Sequence, residues 1–133
     1  MIHAEKILIV EDDAIIISLI SRVLESNGYF VTTARTGKDA LSKVQTSNYN
    51  LVLLDIGLPD MTGIELLEKI RTSNRDIIVI MITGHPHLDS SIDSINYGAD
   101  GYLVKPISNK DLVDTVDGKL RQRFERWVNN IFI

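Results

Sequence analysis

The chain contains three short, largely apolar runs, and within them apolar residues do not alternate with polar ones. They cover residues 6–10, 51–54 and 77–82. Runs of this kind are typical of strands that are buried on both faces of a parallel sheet. Two weaker strands are predicted at residues 29–33, where polar residues suggest a sheet edge, and at residues 101–104.

Amphipathic helical patterns lie between these strands, with apolar residues three and four positions apart. The patterns cover residues 16–24, 36–47, 62–70, 88–97 and the chain from 108 onward. The first pattern is expected to stop at Gly28, and the third opens with the capping-box spacing from Thr62 to Glu65. The fourth has only three apolar anchors and is predicted to be the least firmly held helix.

The elements therefore follow the order strand, then helix, five times over. This alternation predicts right-handed crossovers and a doubly wound parallel sheet that is covered by helices on both faces. Ligands bind such sheets at the carboxyl ends of the strands. The 133 residues contain no internal repeat and no linker, which favours one α/β domain.

The composition of the chain excludes several classes of functional site and partner. The chain is 44% hydrophobic and 24% charged, with a formal net charge of −4 and no cysteine. A disulfide framework, a thiolate metal site and a cysteine nucleophile are therefore excluded, and the acidic balance argues against direct nucleic-acid binding. No apolar run approaches the roughly 20 residues of a membrane span, and no signal-peptide pattern is visible. A cytoplasmic location without a membrane partner is expected.

Polar side chains follow the predicted strands, at the edge where ligands bind. They are Glu11, Asp12 and Asp13 after the first strand, Asp55 at the third, Thr83 after the fourth and Lys105 after the fifth. If the first and third strands are neighbours, Glu11, Asp12 and Asp55 meet, and like charges about 4 Å apart repel by roughly 4 kcal/mol per pair at an effective dielectric near 20. A divalent cation or raised carboxylate pKa values must relieve this repulsion.

The cluster offers only oxygen atoms as metal ligands, with no His or Cys, and such a set favours Mg²⁺. Asp13 is better explained as a cap of the first helix.

These residues are the parts that phosphoryl transfer needs. Mg²⁺ and the Lys105 ammonium would neutralise phosphoryl oxygens, while the Thr83 hydroxyl donates to another. Asp55 is then the nucleophile, because it directly ends the most apolar central strand and a turn at Gly57 and Pro59 follows.

Four stretches of the chain together resemble the receiver domain of two-component response regulators: residues 7–13, 53–59, 82–84 and 98–106. The resemblance covers about residues 5–120 and implies a flavodoxin-like, three-layer sandwich with five strands in the order 2-1-3-4-5. It implies that Asp55 is the phosphoacceptor, and that Mg²⁺ is held by Glu11, Asp12, Asp55 and the Gly57 carbonyl. Asp12 is expected to be the more direct ligand of the acidic pair.

The resemblance also assigns residues on the last two strands. Thr83 and Lys105 match the pair that contacts the phosphoryl group in the family. Tyr102 matches the aromatic residue that turns inward when the hydroxyl residue moves toward the phosphoryl group. The family's peptide bond before Pro106 is cis.

The function that the resemblance implies is a signalling switch. A histidine kinase or a phosphotransfer protein would donate its phosphoryl group to Asp55 with Mg²⁺, and the added charge would change the face formed by the fourth helix, fifth strand and fifth helix. Such a domain is not an enzyme with a separate substrate, although it catalyses its own phosphorylation and dephosphorylation.

Three alternatives stand beside the switch. A phosphate-independent interaction module, or pseudo-receiver, is opposed by the complete set of acids, hydroxyl and lysine. A Mg²⁺-dependent phosphatase would need a second acid soon after Asp55, where Ile56 and Gly57 stand. A flavin carrier on the same fold is disfavoured because the first loop is acidic.

The end of the chain extends beyond what the domain needs. We predict a receiver domain at residues 1–120 and a basic helix extension or linker at residues 121–133, with a break left open at Gly118. Phe124 and Trp127 continue the apolar stripe of the fifth helix. We expect Trp127, Ile131 and Phe132 to contact a missing output domain or a second copy in a homodimer rather than to fold back on their own domain.

Overall fold

The structure, a computed structural model, describes residues 5–84 and 97–132. Five strands are present: β1 (Lys6–Val10), β2 (Phe30–Ala34), β3 (Leu51–Asp55), β4 (Ile78–Thr83) and β5 (Gly101–Val104). They form one parallel sheet in the order β2-β1-β3-β4-β5. The predicted fold class and strand order are confirmed, and every predicted strand boundary lies within one residue of the observed one.

Helices cover both faces of this sheet. They are α1 (Ala14–Ser26), α2 (Gly37–Thr46), α3 (Gly63–Ser73) and the C-terminal helix (Asn109–Phe132). The fourth helix predicted from the sequence falls mostly on residues 85–96, which lie outside the described residues.

Short polar side chains begin the first three helices. Asp13, Thr36 and Thr62 are the N-caps of α1, α2 and α3, and each accepts a hydrogen bond from a first-turn amide. Such caps satisfy amides that have no partner inside the helix. Beyond the end of α1, Gly28 adopts a φ of +91°, a conformation that favours glycine. The predicted roles of Asp13, Thr62 and Gly28 are confirmed.

The sheet separates two hydrophobic cores. On β1, Ile7 and Ile9 face the core shared with α1 and the C-terminal helix. Leu8 and Val10 face the opposite core, which is shared with α2 and α3. Every residue of β3 and β4 is buried, as the unalternating apolar runs predicted. The central strands are therefore held rigidly between two packed layers.

The strand register aligns the carboxyl ends of the sheet. Val10 pairs with Leu54 and Asp55 pairs with Ile82. The residue after Val10 is therefore level with Asp55. The first and third strands are neighbours, which confirms the arrangement on which the predicted repulsion between the acids depends.

The C-terminal helix is continuous through Gly118, so the break that this glycine allowed is not present. Its last turns leave Phe124, Trp127 and Ile131 exposed by 62%, 58% and 51%. These side chains do not fold back into either core, although the rings of Phe124 and Trp127 lie 6.0 Å apart. Among the described residues, no helix has the length and apolarity to cross a membrane.

Candidate functional site

Three carboxylates meet at the carboxyl edge of the sheet. Glu11 and Asp12 follow β1, and Asp55 is the last residue of β3. One oxygen atom from each side chain lies within 4.8 Å of the others. Glu11 and Asp55 are only 1% and 7% exposed, whereas Asp12 is exposed. The three predicted acids therefore form a cluster with two acids in its floor and one at its solvent-facing mouth.

The backbone around Asp55 is held by the neighbouring strand and by the turn that follows. The amide of Ile56 donates a hydrogen bond to the carbonyl of Ile82 at 3.1 Å. The amide of Gly57 donates to Asp55 Oδ1 at 3.4 Å. This short side chain on a buried strand has little freedom to move, which suits a nucleophile that must be aimed.

The loop between β1 and α1 is fixed from β2. The amide of Glu11 donates to the carbonyl of Ala34 at 3.0 Å, and Glu11 Oε1 accepts from the amide of Asp13 at 3.3 Å. The Arg35 guanidinium donates to the carbonyl of Asp12 through Nε at 3.1 Å and Nη2 at 2.6 Å. Glu11 is thus tied to the end of β2 and to the N-cap of α1, and Asp12 is tied to the residue that follows β2.

Lys105 reaches across the sheet to the two buried acids. Its Nζ lies 3.2 Å from Glu11 Oε2 and 3.5 Å from Asp55 Oδ2. The amide of Lys105 donates to the carbonyl of Thr83 at 2.8 Å, and the peptide bond before Pro106 is cis, as the resemblance implied. The ammonium therefore serves as counter-ion to both buried carboxylates.

Titration of the cluster reflects burial and charge together. Burial raises the pKa of the Glu11 carboxyl, the charge of Asp55 raises it further, and Lys105 offsets part of the shift. Burial lowers the pKa of Lys105, but the two carboxylates outweigh this effect and the pKa is raised. One ammonium cannot balance three carboxylates, so negative charge remains at the site. An all-oxygen donor set with remaining negative charge and an exposed mouth fits a hard divalent cation that keeps water ligands.

The remaining predicted residues lie on the same edge or beside it. Thr83 ends β4 and is completely buried. Tyr102 lies on β5 with 47% of its surface exposed, so its side chain is not in the core. A Cβ added to Gly57 would meet nothing within 4 Å, so this residue borders open space beside Asp55.

An apolar groove of about 520 Å³ lies next to Lys105. It is lined by Ile16, Leu19, Ile20, Gly84, Lys105, Pro106 and Ile107. Leu19 is 58% exposed, and Ile15, one turn earlier on α1, is 72% exposed. An apolar surface thus adjoins the charged cluster.

Two residues of this region were missed by the sequence analysis. Arg35 fixes the carbonyl of Asp12, and Asp60 accepts hydrogen bonds from the first amides of α2. Asp60 follows Pro59 and resembles an ordinary turn residue, and Arg35 belongs to no periodic pattern. Both partners are distant in the chain, so no local signal reveals them.

Comparison with known proteins identifies relatives that match most of the chain. Residues 7–117 match the family model described as the response regulator receiver domain. The alkaline phosphatase synthesis transcriptional regulatory protein PhoP of Bacillus subtilis (strain 168) is 34% identical over 118 residues, which cover 89% of this chain and 49% of that protein. The transcriptional regulatory protein BasR of Escherichia coli (strain K12) is 34% identical over 117 residues, 88% of this chain and 53% of that protein. The chain thus spans about half the length of these curated relatives.

Solved structures show the same fold over almost the whole chain. The receiver domain protein (CheY-like) from Methanospirillum hungatei JF-1 matches with a TM-score of 0.89 and 40% identity, covering 93% of this chain and 99% of that chain. NtrX from Brucella abortus matches with a TM-score of 0.89 and 28% identity, covering 97% of this chain and 30% of that chain.

Proposed function

The chain belongs to the response regulator receiver domain family of two-component signal transduction, and we propose that it is a phosphoacceptor switch whose acceptor is Asp55. The phosphoryl group comes from the phosphohistidine of a histidine kinase or a phosphotransfer protein. One observation carries the proposal: three carboxylates and the Lys105 ammonium converge at the carboxyl edge of the sheet.

Asp55 attacks the phosphorus atom of the donor through a carboxylate oxygen. A bond forms between that oxygen and phosphorus, the bond from phosphorus to the donor imidazole breaks, and its electron pair stays with the imidazole nitrogen. The Lys105 ammonium, 3.5 Å from Asp55 Oδ2, stabilises negative charge on the transferred oxygens. The Thr83 hydroxyl, at the end of the neighbouring strand, donates to another phosphoryl oxygen.

The acid cluster holds Mg²⁺ through Glu11, Asp12, Asp55 and the Gly57 carbonyl. Asp12, at the exposed mouth, is the more direct ligand of the acidic pair. When bound, the ion supplies positive charge that offsets the cluster and the incoming phosphoryl oxygens. The excess of three carboxylates over one ammonium supports this assignment.

The donor protein docks on the apolar groove beside Lys105. A phosphohistidine that reaches Asp55 brings its protein against the surface that adjoins the cluster, and Leu19 on that surface is largely exposed. Leu19→Glu is expected to slow transfer from a phosphohistidine protein at least tenfold and to leave phosphorylation by a small donor unchanged. Equal effects on both reactions would contradict this docking surface.

Phosphorylation changes a surface of the domain. The aspartyl phosphate adds negative charge and acceptor oxygens, which draw the Thr83 hydroxyl toward the phosphoryl group on Asp55. Tyr102, now 47% exposed, follows into the space that Thr83 leaves. The output is the altered face of the predicted fourth helix, β5 and the C-terminal helix.

The domain catalyses its own phosphorylation and dephosphorylation in the cytoplasm. The receiver domain covers residues 1–120, and residues 121–133 form an extension or linker whose described part is helical through residue 132. The exposed Phe124, Trp127 and Ile131 of this extension contact an output domain or a second copy of the chain.

Incubation with phosphoramidate and Mg²⁺, followed by measurement of the intact mass, tests the proposal. We expect a labile gain of one phosphoryl group that is lost in Asp55→Asn and kept in Asp39→Asn, which changes an exposed acid on α2. No gain in the wild-type protein would favour the phosphate-independent interaction module. Steady release of phosphate from small esters would favour a phosphatase.

A further inference from the structure

The loop between β3 and α3, residues 56–62, is fastened to the start of α2 by the carboxylate of Asp60. Asp60 Oδ1 accepts a hydrogen bond from the amide of Gly37 at 2.8 Å, and Oδ2 accepts from the amide of Lys38 at 2.9 Å. The first amides of a helix have no intrahelical acceptor, and the positive end of the helix dipole favours an anion there. The tip of the loop is thus held by two charge-assisted hydrogen bonds.

The same helix has a second, local cap. The hydroxyl oxygen of Thr36 accepts a hydrogen bond from the amide of Asp39 at 3.0 Å. Thr36 belongs to the chain just before α2, whereas Asp60 comes from the loop after β3. The two caps therefore act on one helix, but of these two caps it is Asp60 that connects the helix to the loop.

Packing reinforces this connection. A Cβ added to the buried Gly37 would lie 2.5 Å from the Cγ and Sδ atoms of Met61. The loop and α2 therefore approach each other closely, and any larger residue at position 37 would displace the Met61 side chain. The loop tip cannot leave α2 without losing the Asp60 hydrogen bonds and unpacking Met61.

The base of the loop is closed as well. Gly57 and Thr62 form an antiparallel bridge, and the amide of Gly63 donates to the carbonyl of Ile56 at 2.8 Å. Gly57 has no side chain that could be packed in place, and the space beside it is open. Its position depends on the loop around it, which is anchored at its base and at Asp60.

We propose that Asp60 is a positioning residue, which holds the loop tip against α2 and thereby sets the Gly57 carbonyl relative to Asp55 for binding of a divalent cation. The inference rests on the proposed function, in which that carbonyl is a ligand. The hydrogen bonds from Gly37 and Lys38 also lower the pKa of the Asp60 carboxyl, because the two amides bind its ionised form more strongly than its protonated form.

Asp60→Ala and Thr36→Ala form a matched pair that separates positioning from helix capping. Each variant removes one cap of α2, so both are expected to lower the Tm. Only Asp60→Ala is expected to raise the Mg²⁺ concentration for half-saturation, by roughly three- to tenfold, measured from the NMR shift of the Gly57 amide. Asp60→Asn keeps one carbonyl acceptor and is expected to give an intermediate shift.

Amide hydrogen exchange in metal-free protein gives a second measurement. Exchange at residues 57–62 is expected to accelerate several-fold in Asp60→Ala and to stay at the wild-type rate in Thr36→Ala. Equal Mg²⁺ half-saturation and equal exchange in the two alanine variants would overturn the positioning role while leaving the proposed function intact. A wild-type protein that neither binds Mg²⁺ nor accepts a phosphoryl group would overturn both.

Discussion

The Lys105 ammonium lies 3.2 Å from the carboxylate of Glu11, a residue that is only 1% exposed. The same ammonium lies 3.5 Å from Asp55. It is a positive charge that two buried acids share before any ligand arrives. An incoming phosphoryl group would find this charge already in position, without the cost of reorganising solvent.

Lys105→Met is expected to slow the phosphorylation of Asp55 by phosphoramidate about 100-fold, because it removes this charge and keeps most of the side-chain length. The time course of the mass gain measures the rate. Lys110→Met is the matched control, since the Lys110 side chain is 83% exposed and pairs with Asp114. A Lys105→Met rate within twofold of the wild-type rate would contradict the role of the ammonium.

Mg²⁺ is expected to stabilise the folded protein, because the ion offsets repulsion that exists only when the acids are brought together. At a concentration of about 100 times the Kd, the free energy of unfolding rises by about 2.7 kcal/mol. Thermal melts with and without Mg²⁺ measure the gain. Asp12→Asn is expected to lose most of it and Asp39→Asn to keep it, and an unchanged gain in Asp12→Asn would exclude Asp12 as a ligand.

Tyr29 makes stability depend on alkaline pH. Tyr29 is 4% exposed, and its phenol donates a hydrogen bond to Asp117. Burial, which is the larger cause, and this hydrogen bond, which is the second cause, raise the pKa of Tyr29 above its ordinary value. The folded chain therefore holds the phenol proton more tightly than the unfolded chain. This contribution is complete below about pH 10 and is lost as the pH rises beyond it.

Tyr29→Phe is accordingly expected to lower the free energy of unfolding by about 1.5 kcal/mol near neutral pH, with a difference from wild type that narrows above about pH 10. Urea unfolding at about pH 8 and about pH 11 measures both quantities. The exposed Tyr97 provides a control through Tyr97→Phe. A difference in the free energy of unfolding that is the same at both pH values would show that folding does not raise the pKa of Tyr29.

Arg71 connects the end of α3 to the chain before β5. Its Nε and Nη2 donate to the carbonyl of Gly98 at 2.9 Å and 2.7 Å, and Nη2 lies 2.8 Å from Asp100 Oδ2. The same Asp100 oxygen accepts from the amide of Val79 at 2.8 Å. This network joins α3, β4 and the residues that lead into β5.

Arg71→Met is expected to lower the free energy of unfolding by about 2 kcal/mol, because charge-assisted hydrogen bonds are lost while the aliphatic part of the side chain is kept. Urea denaturation measures the change. Arg75→Met, at an exposed position four residues later, is expected to change stability by less than about 0.5 kcal/mol. Equal effects of the two substitutions would show that the network does not stabilise the fold.

Local patterns in the amino-acid sequence predicted the strands and helices and identified the polar residue types at the carboxyl edge of the sheet. Unalternating apolar runs predicted β3 and β4, which are buried throughout, and the local cap signals at Asp13 and Thr62 placed the starts of α1 and α3. These predictions hold because burial patterns and caps depend on residues only a few positions apart. The resemblance to receiver domains supplied the strand order.

Contacts between residues that are distant in the chain became visible in the folded structure and not before. The sequence placed Lys105 at the same edge as the acids, but its approach to Glu11 required the packed sheet between them. The anchoring of Asp60 on α2 left no local pattern, because its partners Gly37 and Lys38 belong to another crossover. Such contacts follow from how whole layers pack, and periodicity along one segment contains no information about that packing.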